Sequence, residues 1–170
     1  MKKILALFMF MSINCAFCQT NIFDVCRSGN IKDIIAYYTK NPDCVNKTTK
    51  EGYSPLILAC YYGNVEAVRF LLDKVDDING VSDYGTPLMA AVVKGNVDIV
   101  AMLLDKQADV NIPDANGTTA LHYAVMFKNY SIVKLLMEAH ADTTLRDNRG
   151  KTPMDYAQIY DDRKLTNLLK

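Results

Sequence analysis

Apolar side chains recur along the chain at the spacing of an α-helix. In two segments of nearly identical pattern they fall on one stripe of a helix: Ile99, Val100, Leu103 and Leu104 in the first, and Ile132, Val133, Leu135 and Leu136 in the second. An earlier segment, 63–72, repeats the same order of residues. Each segment therefore predicts an amphipathic helix of about two to three turns.

A second type of apolar run begins directly after a hydroxyl residue. Such a hydroxyl can accept hydrogen bonds from the free amides of the first helical turn. Proline follows the hydroxyl residue in three of the four cases, at a position that needs no amide hydrogen. The pattern predicts four helix starts, at Ser54, Thr86, Thr119 and Thr152.

The two patterns alternate with a nearly constant period. The alanines at the centre of the first pattern, Ala59, Ala91, Ala124 and Ala157, are separated by 32, 33 and 33 residues. A short turn joins the two helices of each unit, and such a hairpin cannot bury its apolar stripe alone. Neighbouring units must therefore stack, and the sequence predicts a short, mainly α-helical solenoid.

The repeated residues resemble the ankyrin repeat family, which has a period of about 33 residues and a Thr-Pro-Leu-His-x-Ala signature. Examples here are Gly-Thr-Pro-Leu-Met-Ala-Ala at 85–91 and Gly-Asn-Val-Asp-Ile-Val at 95–100. The resemblance implies helix-turn-helix units joined by β-hairpin-like loops in one domain, 19–170. We expect repeats at about 21–51, 52–84, 85–116 and 117–149, and a closing partial repeat at 150–170.

Three features depart from this pattern. The family usually ends its second helix with glycine, whereas this chain has Pro42, Val75, Gln107 and His140, so the residue favoured for a left-handed cap is absent throughout. The connector from Asn79 to Pro87 is one residue shorter than its counterparts, which predicts an irregular hairpin between the second and third repeats. The first repeat lacks the Thr-Pro-Leu entry, so its first helix is the least secure element.

The N-terminal residues 1–18 are typical of a cleavable signal peptide. Lys2 and Lys3 precede an unbroken apolar run at 4–11, and Ala16 and Cys18 precede Gln19 at a position suited to cleavage. The apolar run is too short to span a bilayer, which needs about 20 residues. We therefore expect export to the periplasm or the exterior, without a membrane span in the mature chain, and lipidation of a cysteine is the less favoured alternative.

Composition narrows the classes of function. The chain has 170 residues, of which 50% are hydrophobic, so it can bury a substantial core and is not disordered. Its 19 basic side chains equal its 19 acidic ones. A neutral chain offers no electrostatic basis for binding nucleic acid or an anionic membrane.

The sequence predicts no catalytic, metal or cofactor site. It contains no Cys-x-x-Cys or His-Glu-x-x-His, and His122 lies where the ankyrin signature places a structural histidine. Cys26 and Cys60 occupy equivalent positions in adjacent repeats, about 8 to 10 Å apart for packed helices, and should remain unbridged. Cys44 ends the first repeat and could be exposed, so it could be free or could pair between molecules.

The resemblance places the candidate binding site on a concave face, which is lined by the last two residues of each first helix and by the hairpin tips. The helix-end positions are Arg27, Ser28, Tyr61, Tyr62, Val93, Lys94, Met126, Phe127, Ile159 and Tyr160. The hairpin positions are Lys50, Glu51, Tyr53, Tyr84, Asn116, Thr118, Asn148, Arg149 and Lys151. Aromatic residues and methionine are enriched in interface centres. Alternatively, half of these side chains fold inward against the next hairpin.

We therefore expect a non-enzymatic, monomeric, exported module that uses its concave face to bind, protect or inhibit a protein partner. Two alternatives remain open at this point. The chain could be a structural protein that associates with itself through the same face, or a secreted effector that binds a host protein. Fold alone does not decide among them.

Overall fold

The computed structural model describes residues 21–170, so the predicted signal peptide at 1–18 lies outside the described residues. Within that range the chain forms ten α-helices and one short 3-10 helix. The helices are α1 (Ile22–Ser28), α2 (Ile31–Lys40), α3 (Pro55–Tyr62), α4 (Val65–Leu72), α5 (Pro87–Val93), α6 (Val97–Asp105), α7 (Ala120–Met126), α8 (Tyr130–Glu138), α9 (Pro153–Ile159) and α10 (Arg163–Leu168), with the 3-10 helix at Pro42–Asn46.

The first helix of each repeat starts where the hydroxyl residues predict. Ser54, Thr86 and Thr152 have extended backbones, and their side-chain oxygens accept hydrogen bonds from the amide three residues later. Thr119 holds the same position before α7, and its hydroxyl meets Nδ1 of His122 at 2.8 Å. In the first repeat, Asn21 replaces the hydroxyl residue and forms a capping box with Asp24. The first helix of the first repeat, which the sequence predicts least clearly, therefore forms as α1.

The second helices start after a polar cap of a different kind. Asn64, Asn96 and Asn129 each accept a hydrogen bond from the amide three residues later, and Asp162 caps α10 in the same way. A side-chain oxygen at this position satisfies an amide that the helix itself cannot pair. The closing repeat thus has both of its helices, of which α10 is the shorter, with six residues.

Helices of one kind stack on each other along the molecule. The first helices α1, α3, α5, α7 and α9 pack in sequence, and so do the second helices α2, α4, α6, α8 and α10. The core lies between these two layers, and Leu103 and Leu136 are fully buried in it. The structure therefore confirms the mainly helical solenoid, because each repeat buries its apolar stripe against its neighbours.

Asparagine side chains link successive repeats at the end of each unit. Oδ1 of Asn46 accepts from the amide of Asp76 at 3.0 Å, Oδ1 of Asn79 from Asp109 at 2.9 Å, and Oδ1 of Asn111 from Asp142 at 2.8 Å. The sequence separations are 30, 30 and 31 residues. This ladder fixes the register of each repeat against the next one.

The loops between repeats form tight hairpins, and one of them is irregular as predicted. In two hairpins the first amide reaches a carbonyl four residues later, from Asp114 to Thr118 and from Asp147 to Lys151. Between the second and third repeats, Ser82 pairs instead with Gly85, only three residues later. The missing residue therefore tightens this hairpin.

Two of the second helices end with a left-handed cap although glycine is absent. Gln107 and His140 adopt left-handed backbone conformations with φ of 62° and 61°, although neither is glycine. The next amides, of Ala108 and Ala141, return to the carbonyls of Leu103 and Leu136 and so complete the usual helix cap. Val75 does not adopt this conformation, and α4 ends with a different turn.

The three described cysteines are free thiols, and all three are buried. The sequence left open that Cys44 is exposed, and the structure shows that it is buried: the 3-10 helix that follows α2 packs against α3 and leaves this residue only 6% exposed. Burial raises the pKa of the Cys26 thiol to about 12 and also raises the pKa of Cys44 and Cys60. Neutral, buried thiols react slowly with oxidants and with other thiols.

Candidate binding surface

The predicted helix-end residues form a row along the solenoid because each occupies the same position in its repeat. Most of them are exposed despite being apolar: Tyr61, Tyr62, Val93, Phe127, Ile159 and Tyr160, with exposed fractions from 37% to 60%. Lys94 is exposed as well, whereas Met126 is partly buried against the core. The alternative was that half of these side chains fold inward. Of the eight helix-end residues in repeats two to five, only Met126 does so.

A groove runs between this row and the hairpins that precede α3 and α5. It has a volume of about 530 Å³, within the range of about 300 to 1,000 Å³ that is usual for ligand pockets. Seven of the predicted residues line it: Arg27, Tyr53, Tyr61, Tyr62, Tyr84, Val93 and Phe127. The structure therefore brings seven of the nineteen predicted residues to one site.

Aromatic rings in the groove support each other in pairs. Tyr53 and Tyr84 stack across the two adjacent hairpins, with ring centroids 5.8 Å apart and planes 8° from parallel. Tyr61 and Tyr62 meet edge to face at 5.3 Å, and the Nζ of Lys94 lies 4.8 Å from the centre of the Tyr61 ring. Such contacts between rings and with a cation favour these side-chain positions.

The remaining predicted residues lie outside this groove. Asn116, Met126 and Arg149 line a smaller recess of about 260 Å³ between the last two hairpins. Tyr160 lies in the last repeat, where its ring stacks on Tyr156 at 6.4 Å. The concave face, defined as the first-helix ends and hairpin tips, is therefore divided into a larger aromatic groove and a smaller polar recess.

Two tyrosine and aspartate pairs form the wall beneath the later hairpins. The phenol of Tyr123 donates to Oδ2 of Asp114 at 2.6 Å, and the phenol of Tyr156 donates in the same way to Asp147. Burial, with the hydrogen bond to Asp114, raises the pKa of Tyr123 to about 12. Burial opposes ionisation of Asp147, but hydrogen bonds from Tyr156 and the backbone outweigh it and lower the pKa of that carboxyl. The pair of Tyr156 and Asp147 thus keeps a neutral donor and a charged acceptor.

Sequence reasoning missed several residues that line the groove. Leu58, Ala90 and Tyr123 come from equivalent positions in three successive first helices, and Ser82 and Gly85 come from the shortened hairpin. A comparison of this one helical position across the repeats would have drawn attention to Ala90, since the next two repeats have tyrosine there. The groove therefore results from a local difference between repeats.

The buried histidine of the chain serves the fold. The backbone amide of Thr119 donates to Nδ1 of His122 at 3.2 Å, so the proton is on Nε2, which donates to the carbonyl of Lys151 at 3.0 Å. His122 is fully buried and links α7 to the next hairpin. Across residues 21–170, no group of three or more histidine, cysteine or carboxylate side chains is placed to hold a metal ion. None of the helices in that range is both long and apolar enough to cross a membrane.

Comparison with known proteins agrees with the repeat pattern. A family model of ankyrin repeats in three copies matches residues 22–114, and one of many copies matches residues 105–157. A curated ankyrin repeat protein of Acanthamoeba polyphaga mimivirus is 37% identical over 60 residues, which are 35% of this chain and 6% of that protein. The chain thus matches only a small part of the length of this relative. Since the first family model alone matches more than half of the sequence, the chain belongs to the ankyrin repeat family, whose repeats generally serve as modules for interaction between proteins.

Proposed function

We propose that this protein is an exported, non-enzymatic module that binds a protein partner with its concave face, and thereby protects or inhibits that partner. The observation that carries the proposal is the groove of about 530 Å³, with its exposed row of Tyr61, Tyr62, Val93 and Phe127. A contiguous apolar patch of this kind on a soluble domain is typical of an interaction surface.

The chemistry of the groove favours a protein over other partners. Tyrosine presents a large apolar area with a polar tip, at a low cost in conformational entropy, and is enriched among residues that dominate binding energy. The stacking of Tyr53 on Tyr84 holds two such rings in place before binding, so less ordering is needed when the partner arrives. The zero net charge of the chain gives no general attraction for nucleic acid.

Export is supported by the residues that precede the described fold. Lys2 and Lys3, the apolar run at 4–11 and the small residue Ala16 form the pattern of a cleavable signal. Without residues 1–18 the chain would have 17 basic and 19 acidic side chains, a net charge of −2. The partner would then be met in the periplasm or outside the cell.

The same face could instead serve association of the protein with itself, or contact with a host protein after secretion. Self-association needs no second protein, whereas the main proposal does. Size-exclusion chromatography of the purified chain therefore separates the two. We expect a monomer at micromolar concentration. A host partner would differ only in its source.

We expect Tyr62→Ala and Phe127→Ala to weaken partner binding while the fold remains intact. Both side chains are more than half exposed, so their removal costs little core packing. Truncation of an interface anchor typically costs more than about 1 kcal/mol, and at least one variant should weaken the affinity about tenfold. The measurement is affinity for the protein that co-purifies from the native cell with the tagged chain, and circular dichroism checks the fold.

The matched controls are Arg69→Ala and Lys134→Ala, which truncate exposed side chains on the second helices α4 and α8. Neither change should alter affinity or stability. If the groove variants bind as tightly as the native chain and the control variants do not, the binding surface lies on the opposite face. If the groove variants change only self-association, the structural alternative is correct.

Export has its own test. Fusion of residues 1–20 to a reporter protein should carry the reporter across the membrane and yield a mature end near Gln19. N-terminal sequencing of the protein purified from its native cell measures the same event. Retention of Met1 in that material would contradict the proposal of a cleaved signal.

A further inference from the structure

The repeats differ at one position that faces the groove. Counted four residues after the cap of each first helix, this position holds Leu58, Ala90, Tyr123 and Tyr156 in repeats two to five. In the last two repeats the tyrosine lies against its own hairpin and donates its phenol hydrogen to an aspartate. This helical position thus holds an aromatic ring in repeats four and five but only the methyl group of alanine in repeat three.

Helix α5 and the hairpin before it lack both members of the tyrosine and aspartate pair. Ala90 stands in place of the tyrosine, and Ser82 stands at the start of the hairpin, where the later repeats have Asp114 and Asp147. Both Ala90 and Ser82 line the groove, and Ala90 is only partly buried. The groove therefore extends over the space that the later repeats fill with a tyrosine of their own.

The hydrogen-bonding capacity of Ser82 is not exhausted. Its hydroxyl donates to the carbonyl of Gly85 at 3.0 Å and accepts from the amide of Tyr84 at 3.3 Å. A hydroxyl oxygen has two acceptor positions, so one remains. A phenol in the groove could donate to Ser82 in the manner in which Tyr123 donates to Asp114.

The walls around Ala90 suit an uncharged ring. Leu58 and Val93 supply aliphatic contacts, and Tyr123 and Phe127 stack on each other at 6.3 Å, with planes 10° from parallel, at one side. Arg27 is the only charged residue among the described residues that line the groove. Its guanidinium already pairs with the carboxylate of Asp24 at 3.2 Å. A charged side chain would therefore find no free counter-ion in this lining.

We propose that the groove over Ala90 receives a tyrosine side chain of the protein partner, in the place where the next two repeats hold a tyrosine of their own. This rests on the proposed function, since it names the group by which the partner is held. Tyrosine is also among the residues that most often anchor an interface in a pocket. The partner is thus a protein that presents an exposed tyrosine.

A titration of the unmodified protein with N-acetyl-L-tyrosinamide tests this directly. We expect saturable shifts of the backbone amide NMR signals of Tyr84, Ala90 and Val93, and an affinity about tenfold above that for N-acetyl-L-leucinamide. Equal affinity for the two amides, or shifts confined to other parts of the chain, would overturn the proposal. This measurement needs no variant and no knowledge of the partner.

A variant separates this inference from the proposed function. Ala90→Tyr supplies the missing ring from within and should weaken both tyrosinamide binding and partner capture about tenfold or more. Lys134→Tyr, which adds a ring at an exposed position of the second helix α8, outside the concave face, is the matched control and should bind normally. If Ala90→Tyr is folded and captures the partner normally while Phe127→Ala does not, the tyrosine site is wrong and the binding face stands. If neither variant affects capture, both proposals fail.

Discussion

Leu103→Ala and Leu136→Ala should each lower the free energy of unfolding by about 2–5 kcal/mol. Both side chains are fully buried in the core, on the second helices α6 and α8, which pack on each other. Removal of three carbon atoms forfeits their burial and leaves a cavity, because helices in a solenoid are also held by the repeat on the other side. Denaturant unfolding followed by circular dichroism measures the loss of unfolding free energy. A loss of this size is a large share of the total unfolding free energy of such a domain.

The control for this pair is Leu104→Ala. Leu104 follows Leu103 in α6 but is only partly buried, so its truncation should cost distinctly less. Losses below about half a kcal/mol at both Leu103 and Leu136 would contradict the stacking of the second helices, since that is the scale of ordinary surface substitutions.

His122→Leu should be the most damaging change at a polar residue. The leucine keeps the bulk of the ring but leaves the amide of Thr119 without its partner, and it removes one of the two donors to the carbonyl of Lys151, which keeps the amide of Asp147. A buried polar group that loses its hydrogen bond costs about 1–3 kcal/mol. Since the carbonyl belongs to the next hairpin, the change should also loosen the closing repeat, which amide hydrogen exchange at 147–157 would detect.

His140→Asn is the matched histidine control. His140 is exposed at a left-handed position, which asparagine tolerates well, so stability should change little. If His122→Leu were as harmless as His140→Asn, the link between the fourth and fifth repeats would not contribute to stability.

Much of the fold could be predicted because its signals are local. The hydroxyl residues Ser54, Thr86 and Thr152 act on amides three residues away, so the sequence reveals them without tertiary information. The buried stripe that contains Leu103 and Leu136 follows from helical period alone. The shortened hairpin before Pro87 was also apparent from a count of residues.

Features that depend on packing between elements could not be predicted in this way. Gln107 and His140 take left-handed conformations because the amides of the next residues return to carbonyls inside the helix, and this gain outweighs the absence of glycine. Cys44 is buried because the 3-10 helix at Pro42–Asn46 packs on α3, an element that the sequence did not indicate. In both cases tertiary contacts override a local preference.

The candidate binding surface was predicted in outline only. The repeat alignment places Tyr61, Tyr62 and Phe127 on one surface, and they do line the same groove. The alignment does not show where that surface is recessed, because depth depends on the residues beneath it. Ala90 determines the recess through its small size, and a search for aromatic residues passes over an alanine.

Side-chain footprinting of the isolated protein and of its complex with the co-purified partner tests the central claim most directly. Hydroxyl radicals oxidise exposed rings, and Tyr62, Tyr84 and Phe127 are each more than half exposed in the free chain. If the concave face holds the partner, oxidation of these three residues should fall in the complex, while oxidation of Ile35 and Met137 on the second helices should stay the same. Unchanged oxidation of the three rings, with protection of the second helices, would contradict the account.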